Sequence, residues 1–347
     1  MNKSVLLPVL GLVILSSCRS PEKKTSVISL THTVCDMNGL MIGSGGYMVA
    51  TEDSHIVGID HREDFFFYCQ DTNRPAAPYR FGKKGQGPDE FVHPFSLQYI
   101  SDSLITTYDM SSRQFSEITL NPRSPRLKVS TLPFTADMNF RILKTRHGRH
   151  VGLGIYREGM FQLYDSQGNK VGYFFEYPYR DANEKNISNP VRAMAYQGKI
   201  SANPSATRFA YAAACADIIH FYDIAEDDIR LIKKIETRFC EYVPDEYDGG
   251  TGAGITPTNR NGYVDLYATD NCVYALYSGK TFREDREKAL ESTLLRIYDW
   301  SGELLTEATL DVPCKFMCVS PDDETMWAIA EIPEPAIVRF DLSHKKQ

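Results

Sequence analysis

Three glycines, Gly82, Gly85 and Gly87, stand around the adjacent cations Lys83 and Lys84 in Arg80–Pro94 (RFGKKGQGPDEFVHP). Glycine beside lysine is a composition that cradles phosphates, because bare amides can turn toward an anion with no Cβ in the way. The run lacks the G-x-x-x-x-G-K-S/T spacing, and no helical pattern follows it, so a phosphate loop is not indicated. It reads instead as a tight crossing between two strand-forming stretches. Glycine permits positive φ there, and Pro88 fixes the exit. Asp89 and Glu90 are expected to bond nearby amides and hold the crossing. Lys83 and Lys84 are the groups that would meet an anionic ligand, with Glu90 and His93 beside them.

Other chemistry-bearing residues are scattered. Asp245, Glu246 and Asp248 in Glu241–Gly254 (EYVPDEYDGGTGAG) offer oxygens to calcium, but not at EF-hand spacing. That stretch reads as a solvated loop. Eight histidines include no H-E-x-x-H or H-x-H. His147 and His150 flank Gly148-Arg149 and are expected in an exposed turn. Ile42–Gly46 (IGSGG) is not the G-x-S-x-G elbow of a serine nucleophile and reads as a hairpin turn. Carboxylate pairs for glycoside chemistry would have to come from separate structural units. Tyr196, Tyr263 and Tyr267 are candidates to stack on a sugar.

The N-terminus reads as a processing signal. Lys3 precedes the apolar run Val5–Leu15, and Leu15-Ser16-Ser17-Cys18 follows it. The apolar run is shorter than the roughly 20 residues of a membrane span. The ending resembles the lipobox of bacterial lipoproteins, in which cleavage leaves an acylated cysteine, here Cys18, first in the chain. Residues 1–17 are then a signal peptide, 18–26 a polar tether and 27–347 the folded domain. Loss of Lys3 leaves 37 basic against 45 acidic residues, a net charge of −8. With no basic stripe, nucleic acid is a poor partner, and membrane attachment would come from lipid rather than from charge. Seven cysteines remain beside Cys18, with no C-x-x-C; they read as buried free thiols, the alternative being a disulfide between distant cysteines in an oxidising envelope. Cys314 and Cys318 lie four apart in a strand-like run. They are expected on one face about 13 Å apart, too far to bond.

The elements that would position these residues are strands. Short runs rich in Phe and Tyr, bounded by turn residues, dominate the chain. The best helical candidate is the short Thr281–Leu290. Pro204–Asp223 and Pro321–Asp341 repeat one pattern: a proline turn, an aromatic-Ala strand, a loop, and an apolar strand ending in Asp. Similar endings occur at Asp165 and Asp299. Each Asp suits the following turn, since its carboxylate can bond an amide two residues on. Assembly gives units at Leu40–Phe81, Phe95–Leu132, Phe140–Glu176, Arg192–Glu236 and Tyr263–Leu310. A sixth, from Lys315, lacks its last strand, and Val27–Val34 is a spare strand ahead of the first. The expected fold is all-β, a six-bladed β-propeller of four-stranded antiparallel blades. The N-terminal strand would close the ring in the last blade.

Gly82–Phe91 (GKKGQGPDEF), Tyr274–Gly279 (YALYSG) and the Pro204 and Pro321 units resemble the TolB-like six-bladed β-propeller lipoproteins over essentially the whole mature chain. The Pro321 turn departs from the usual Pro-Asp-Gly by placing Asp323 third. The resemblance implies fold and envelope location and carries no catalytic residue.

Propeller topology puts the first-to-second and third-to-fourth strand connections on one face and all other connections on the opposite face. The long stretches Lys83–Pro94, Asp181–Pro190, Cys240–Gly262 and Gly279–Thr293 all fall on the latter, and long loops around a concave mouth are a default ligand site. The expected ligand face carries Lys83, Lys84, Glu90, His93, Tyr196, Arg260, Tyr263 and Arg283. No cofactor or metal is implied. The leading expectation is a binding or protein-interaction module, lipid-anchored in the cell envelope at the outer membrane, for a small molecule, glycan or protein. The alternative is a hydrolase or lyase acting on polysaccharide or peptide from the central mouth.

Overall fold

A computed structural model describes residues 26–36, 42–43, 45–61, 64–74, 77–120, 128–134, 138–245 and 252–343. Cys18, Glu246, Asp248 and His344 lie outside them. After the N-terminal strands β1 (Ser26–Leu30) and β2 (His32–Val34), the chain forms four-stranded antiparallel blades. Blade one is β3 (Gly45–Ala50), β4 (His55–Asp60), β5 (Phe65–Asp71) and β6 (Tyr79–Lys83). Blade two is β7 (Gln98–Ser101), β8 (Leu104–Asp109), β9 (Gln114–Thr119) and β10 (Lys128–Pro133). Blade three is β11 (Met138–Lys144), β12 (His150–Ile155), β13 (Phe161–Tyr164) and β14 (Lys170–Phe174). Helices α1 (Ala182–Lys185) and α2 (Asn189–Ala195) intervene before blade four. That blade is β15 (Gly198–Ala202), β16 (Arg208–Ala213), β17 (Asp217–Ile224) and β18 (Ile229–Arg238). A hairpin, β19 (Tyr242–Asp245) and β20 (Gly252–Ile255), precedes blade five. Blade five is β21 (Tyr263–Ala268), β22 (Cys272–Tyr277), β23 (Ser292–Asp299) and the first half of β24 (Leu304–Val319). The second half of β24 starts blade six, followed by β25 (Thr325–Glu331) and β26 (Pro335–Asp341).

Among the described residues the buried apolar side chains form six clusters, one between each neighbouring pair of blades. Phe67 meets Ile105 between blades one and two, and Phe115 meets Ile142 between two and three. Leu153 meets Phe209 between three and four, and Phe221 meets Val273 between four and five. Leu295 meets Met326 between five and six, and Trp327 meets Ile56 between six and one. Both faces of a blade are therefore interior. That is why the strands read as near-continuous apolar runs with only partial alternation.

The repeated sequence units are equivalent hairpins, β16–β17 and β25–β26. The terminal aspartates turn the chain as expected at Asp165, Asp299 and Asp341. Their Oδ1 atoms accept from Gln167, Ser301 and Ser343 amides at 2.8–2.9 Å. Asp223 instead accepts from Arg208 Nε at 2.9 Å. Asp323, where a glycine would be usual, has φ 64°. Its carboxylate accepts from Thr269, Asn271 and Tyr274 of blade five at 2.7–2.8 Å. Those bonds offset the left-handed backbone and tie blades five and six together.

Several expectations change. Val27–Val34 is divided: β2 lies antiparallel on β26, while β1 runs parallel to the first half of β24 on the outside of blade five. Leu30 buries into the cluster between blades five and six, and Asp311 Oδ1 takes the amide of His32 at 3.1 Å. Blade four begins at Gly198, because Arg192 belongs to α2. Glu241–Gly254 contains the strands of an extra hairpin, whose Tyr242 and Ala253 pack on the blade three–four cluster. Thr281–Leu290 does form helical turns, α3 (Phe282–Asp285) followed by a 3-10 turn. Cys314 and Cys318 do not share a face. A register shift between Cys314 and Phe316 sends Cys314 to the blade five–six cluster and Cys318 to the blade six–one cluster. The seven cysteines from Cys35 on are unbridged.

His147 is exposed as expected, but His150 is buried. It opens β12 and sits between Phe115 at 4.7 Å and Phe134 at 5.4 Å. Its Nδ1 lies 3.2 Å from the carbonyl of Asp165. Burial pushes its pKa down to about 4. The unfolded chain binds this proton near pH 6.5, so the neutral ring's stabilisation is complete above pH 6.5 and is lost as pH falls toward 4. About 3 kcal/mol of stability should disappear at this site over that interval. Urea unfolding of His150→Gln should therefore show a flatter pH dependence than the parent between pH 6.5 and 4. Parallel curves would remove His150 as a cause of acid sensitivity.

Candidate functional site

The glycine-rich crossing from blade one to blade two is a clasp. Gly85 N donates to Phe91 O and Phe91 N to Lys83 O, both at 2.9 Å. Glu90 Oε2 accepts from Gly87 N at 2.9 Å, and its Oε1 lies 3.5 Å from Lys83 Nζ. Lys84 Nζ donates to His61 O at 2.6 Å, with Phe66 under it. Asp109 Oδ2 receives the amides of Val92 and His93 at 2.7 Å. Gly82 has φ 69°, and a Cβ there would meet Phe67 at 2.3 Å.

The other expected residues separate as well. Tyr196 is fully buried at the end of α2, its hydroxyl donating to Glu184 Oε1 at 2.8 Å. Arg260 spends its guanidinium on Gly279 O at 3.0 Å, and Arg283 is exposed on α3. Of the eight, Tyr263 alone lines the central mouth, and its hydroxyl turns away to Asp217 Oδ1 at 3.0 Å. Tyr267 lies deeper, in the axial channel.

The mouth on the long-loop face is a cavity of about 700 Å³. Around the axis every blade supplies a side chain from its innermost strand or just ahead of it, four of them (Phe95, Arg141, Lys199 and Phe316) lining the mouth and two (Tyr47 and Asp265) the channel below it. Lys199 Nζ donates to Asp265 Oδ1 at 2.7 Å, and Asp265 Oδ2 accepts from Met317 N at 2.7 Å. The ammonium lies 4.5 Å from the Tyr47 ring centre and 4.7 Å from that of Phe316. Arg141 stands over Tyr47 at 5.4 Å and Phe95 at 5.1 Å. It donates through Nη1 to Gly198 O at 2.5 Å and through Nη2 to the Tyr47 hydroxyl. Arg141 is 93% buried, no carboxylate of the described residues pairs with it, and its Nε has no acceptor among them. Below Arg141 the channel narrows to about 30 Å³, room for no more than a water or two.

The upper wall on the blade-five side presents apolar side chains. The segment between β22 and β23 arches over the blade-five side, carrying Phe282 and Leu290, 44% and 52% exposed. Its base is pinned, since Asn261 Nδ2 and Ser278 Oγ both donate to Ala289 O, at 3.1 and 2.8 Å. Thr281 caps α3 by accepting from Glu284 N at 3.2 Å. Such a floor and wall can hold a ligand by charge, ring faces and apolar contact. Among the described residues no group of three or more His, Cys, Asp or Glu is placed to share a metal ion.

Arg141 and Lys199 were legible only as isolated charges inside short strands, MNFRILK, which also ends in Lys144, and GKISA. Aligning the first strand of each blade would have placed both on the axis. Removing one partner of the Lys199–Asp265 pair leaves a buried charge uncompensated, a cost of about 3–5 kcal/mol. Asp265→Ala should lose about that much in urea unfolding, and adding Lys199→Met should recover part of it. An additive double variant would show that the two charges do not act as a pair.

A protein of Bacteroides fragilis NCTC 9343 described as exported has a similar structure, with TM-score 0.53 and 11% identity over 91% of this chain and 99% of that one. The calcium-binding protein regucalcin of Agrobacterium tumefaciens C58 aligns with TM-score 0.49 and 8% identity, covering 92% and 95%. The first likeness concerns the fold alone, and nothing is drawn from the second. No curated protein sequence matches the chain. Residues 29–322 match the model of the TolB-like 6-blade propeller-like family. With six inter-blade clusters and blades of four antiparallel strands, the chain belongs to that TolB-like six-bladed propeller family.

Proposed function

We propose that this chain is a lipid-anchored binding module of the cell envelope and that its ligand seat is the axial mouth on the long-loop face. The observation that carries this is convergence. Four blades bring two cations, Arg141 and Lys199, and two aromatic rings, Phe95 and Phe316, into one cavity of about 700 Å³, and Tyr47 and Asp265 of the other two blades contact those cations from the channel beneath. That volume is within the range of small-molecule sites. The carboxylate is committed to Lys199 and to a backbone amide, an arrangement that positions charge rather than transferring protons. The segment Leu15–Cys18 and the polar residues after it supply the anchor and tether. Among the described residues no helix is long and apolar enough to cross a membrane.

Two experiments bear on this. Cys18→Ala should move the protein from the membrane to the soluble fraction of cells, and unchanged fractionation would end the anchor reading. Small fragments that raise the melting temperature should lose most of that effect in Phe282→Ser/Leu290→Ser. They should keep it in Val171→Ser, an exposed change on the outer strand of blade three. Equal effects in both variants would place the ligand elsewhere.

A further inference from the structure

We infer that the mouth takes a small monoanion, a carboxylate carried on an apolar or aromatic body, with the carboxylate against Arg141 and Lys199 and the body against Phe282, Leu290 and Phe316. This rests on the mouth being the ligand seat and adds the class of ligand. The first argument is charge. Arg141 and Lys199 face a single carboxylate, Asp265, leaving one positive charge in excess on the floor. Lys315, also on the wall, is neutralised by Glu331, and Glu287 stands exposed on the rim. A buried cation without an ion partner is costly. Ring faces and neutral oxygens compensate Arg141 in part, and one bound anion would complete the balance. A dianion would overshoot it.

The second argument is the division of the cavity. The two cations stand together at the floor over the same Tyr47 ring. Phe95 and Phe316 flank them, and above stand the apolar Val264, Phe282 and Leu290, with Gln197, Lys315 and Glu287 among the polar members of the wall. Phe282 and Leu290 are exposed on a segment whose base is held by hydrogen bonds, so their exposure is built in. A hydrated inorganic ion would leave that apolar wall wet. A carboxylate with an apolar body covers the wall and reaches the cations, and both contributions favour binding.

The test uses the full-length chain with Cys18→Ala and two probe bodies, p-fluorophenyl and fluorobiphenyl. Each is offered as the acetate, the neutral ethanol and the ethylamine, with binding read by fluorine NMR. The acetates should bind at least about tenfold more tightly than the matching alcohols, and the amines should not bind. Arg141→Met should abolish the preference for acetate over alcohol, and Lys199→Met/Asp265→Leu, which removes one charge of each sign and one of the two carboxylate contacts, should reduce it. Phe282→Ser/Leu290→Ser should weaken acetate and alcohol alike. Should Arg141→Met fail to fold, the double variant at 199 and 265 and the salt dependence of acetate binding decide. An alcohol or amine bound as tightly as the acetate, and weakened by the Phe282/Leu290 variant, would overturn the carboxylate assignment and leave the mouth as the seat. Acetate binding that ignores the Phe282/Leu290 variant would overturn both, as would the failure of every probe to bind.

Discussion

Each blade is covered on both faces by its neighbours, and the rest of the molecule depends on that constraint. A four-stranded antiparallel sheet alone would leave one apolar face in water. Here the faces meet as wedges, with Phe67 against Ile105 in one and Trp327 against Ile56 in another. Burying one such side chain contributes about 1.5–3 kcal/mol. The packing is cyclic, so the wedge between blades six and one must form from residues nearly 300 positions apart in sequence, such as Trp327 and Met48. The N-terminal strands reinforce that region from outside. Leu30 enters the adjoining wedge and β2 pairs with β26.

Cyclic packing also dictates what the axis can be. The innermost strands converge there, and the side chains they point inward must share a small space. Charges are tolerated in it only with partners. Lys199 has Asp265 and two rings, and Arg141 has a carbonyl, a hydroxyl and two rings. No single loop could assemble this set, because its members come from every blade. The geometry at the mouth is thus fixed by the wedges several residues away, and the site is as rigid as the ring.

Much of the fold was legible in the sequence because the repeat is written in short-range signals. The proline turn, the aromatic-Ala strand and the terminal Asp recur at Pro204 and Pro321, and each corresponds to a local hydrogen bond or a buried face. Where tertiary context intervened, the reading failed. His150 adjoins a glycine turn and reads as exposed, yet Phe115 and Phe134 of other elements close over it. Cys314 and Cys318 read as same-face residues until a register shift turns the strand between them. The division of Val27–Val34 depends on Asp311, 279 residues away from His32.

The site was less legible for a reason rooted in how motifs arise. A run such as Arg80–Pro94 is conspicuous because its backbone demands unusual residues. Gly82 must hold positive φ against Phe67, and Glu90 must fold back on the Gly87 amide. Those demands are satisfied inside the clasp, which leaves Lys83 and Lys84 committed to it. Polar residues on an inner strand make no such demand. Arg141 and Lys199 occupy ordinary extended backbone and differ from their neighbours only in side chain, one position per blade. Conspicuous spacing in this chain therefore marks backbone geometry. The chemistry of the mouth is carried by isolated polar residues where the repeat would otherwise call for apolar ones. In a ring of equivalent blades, it is the departures from equivalence on the innermost strands that distinguish one mouth from another.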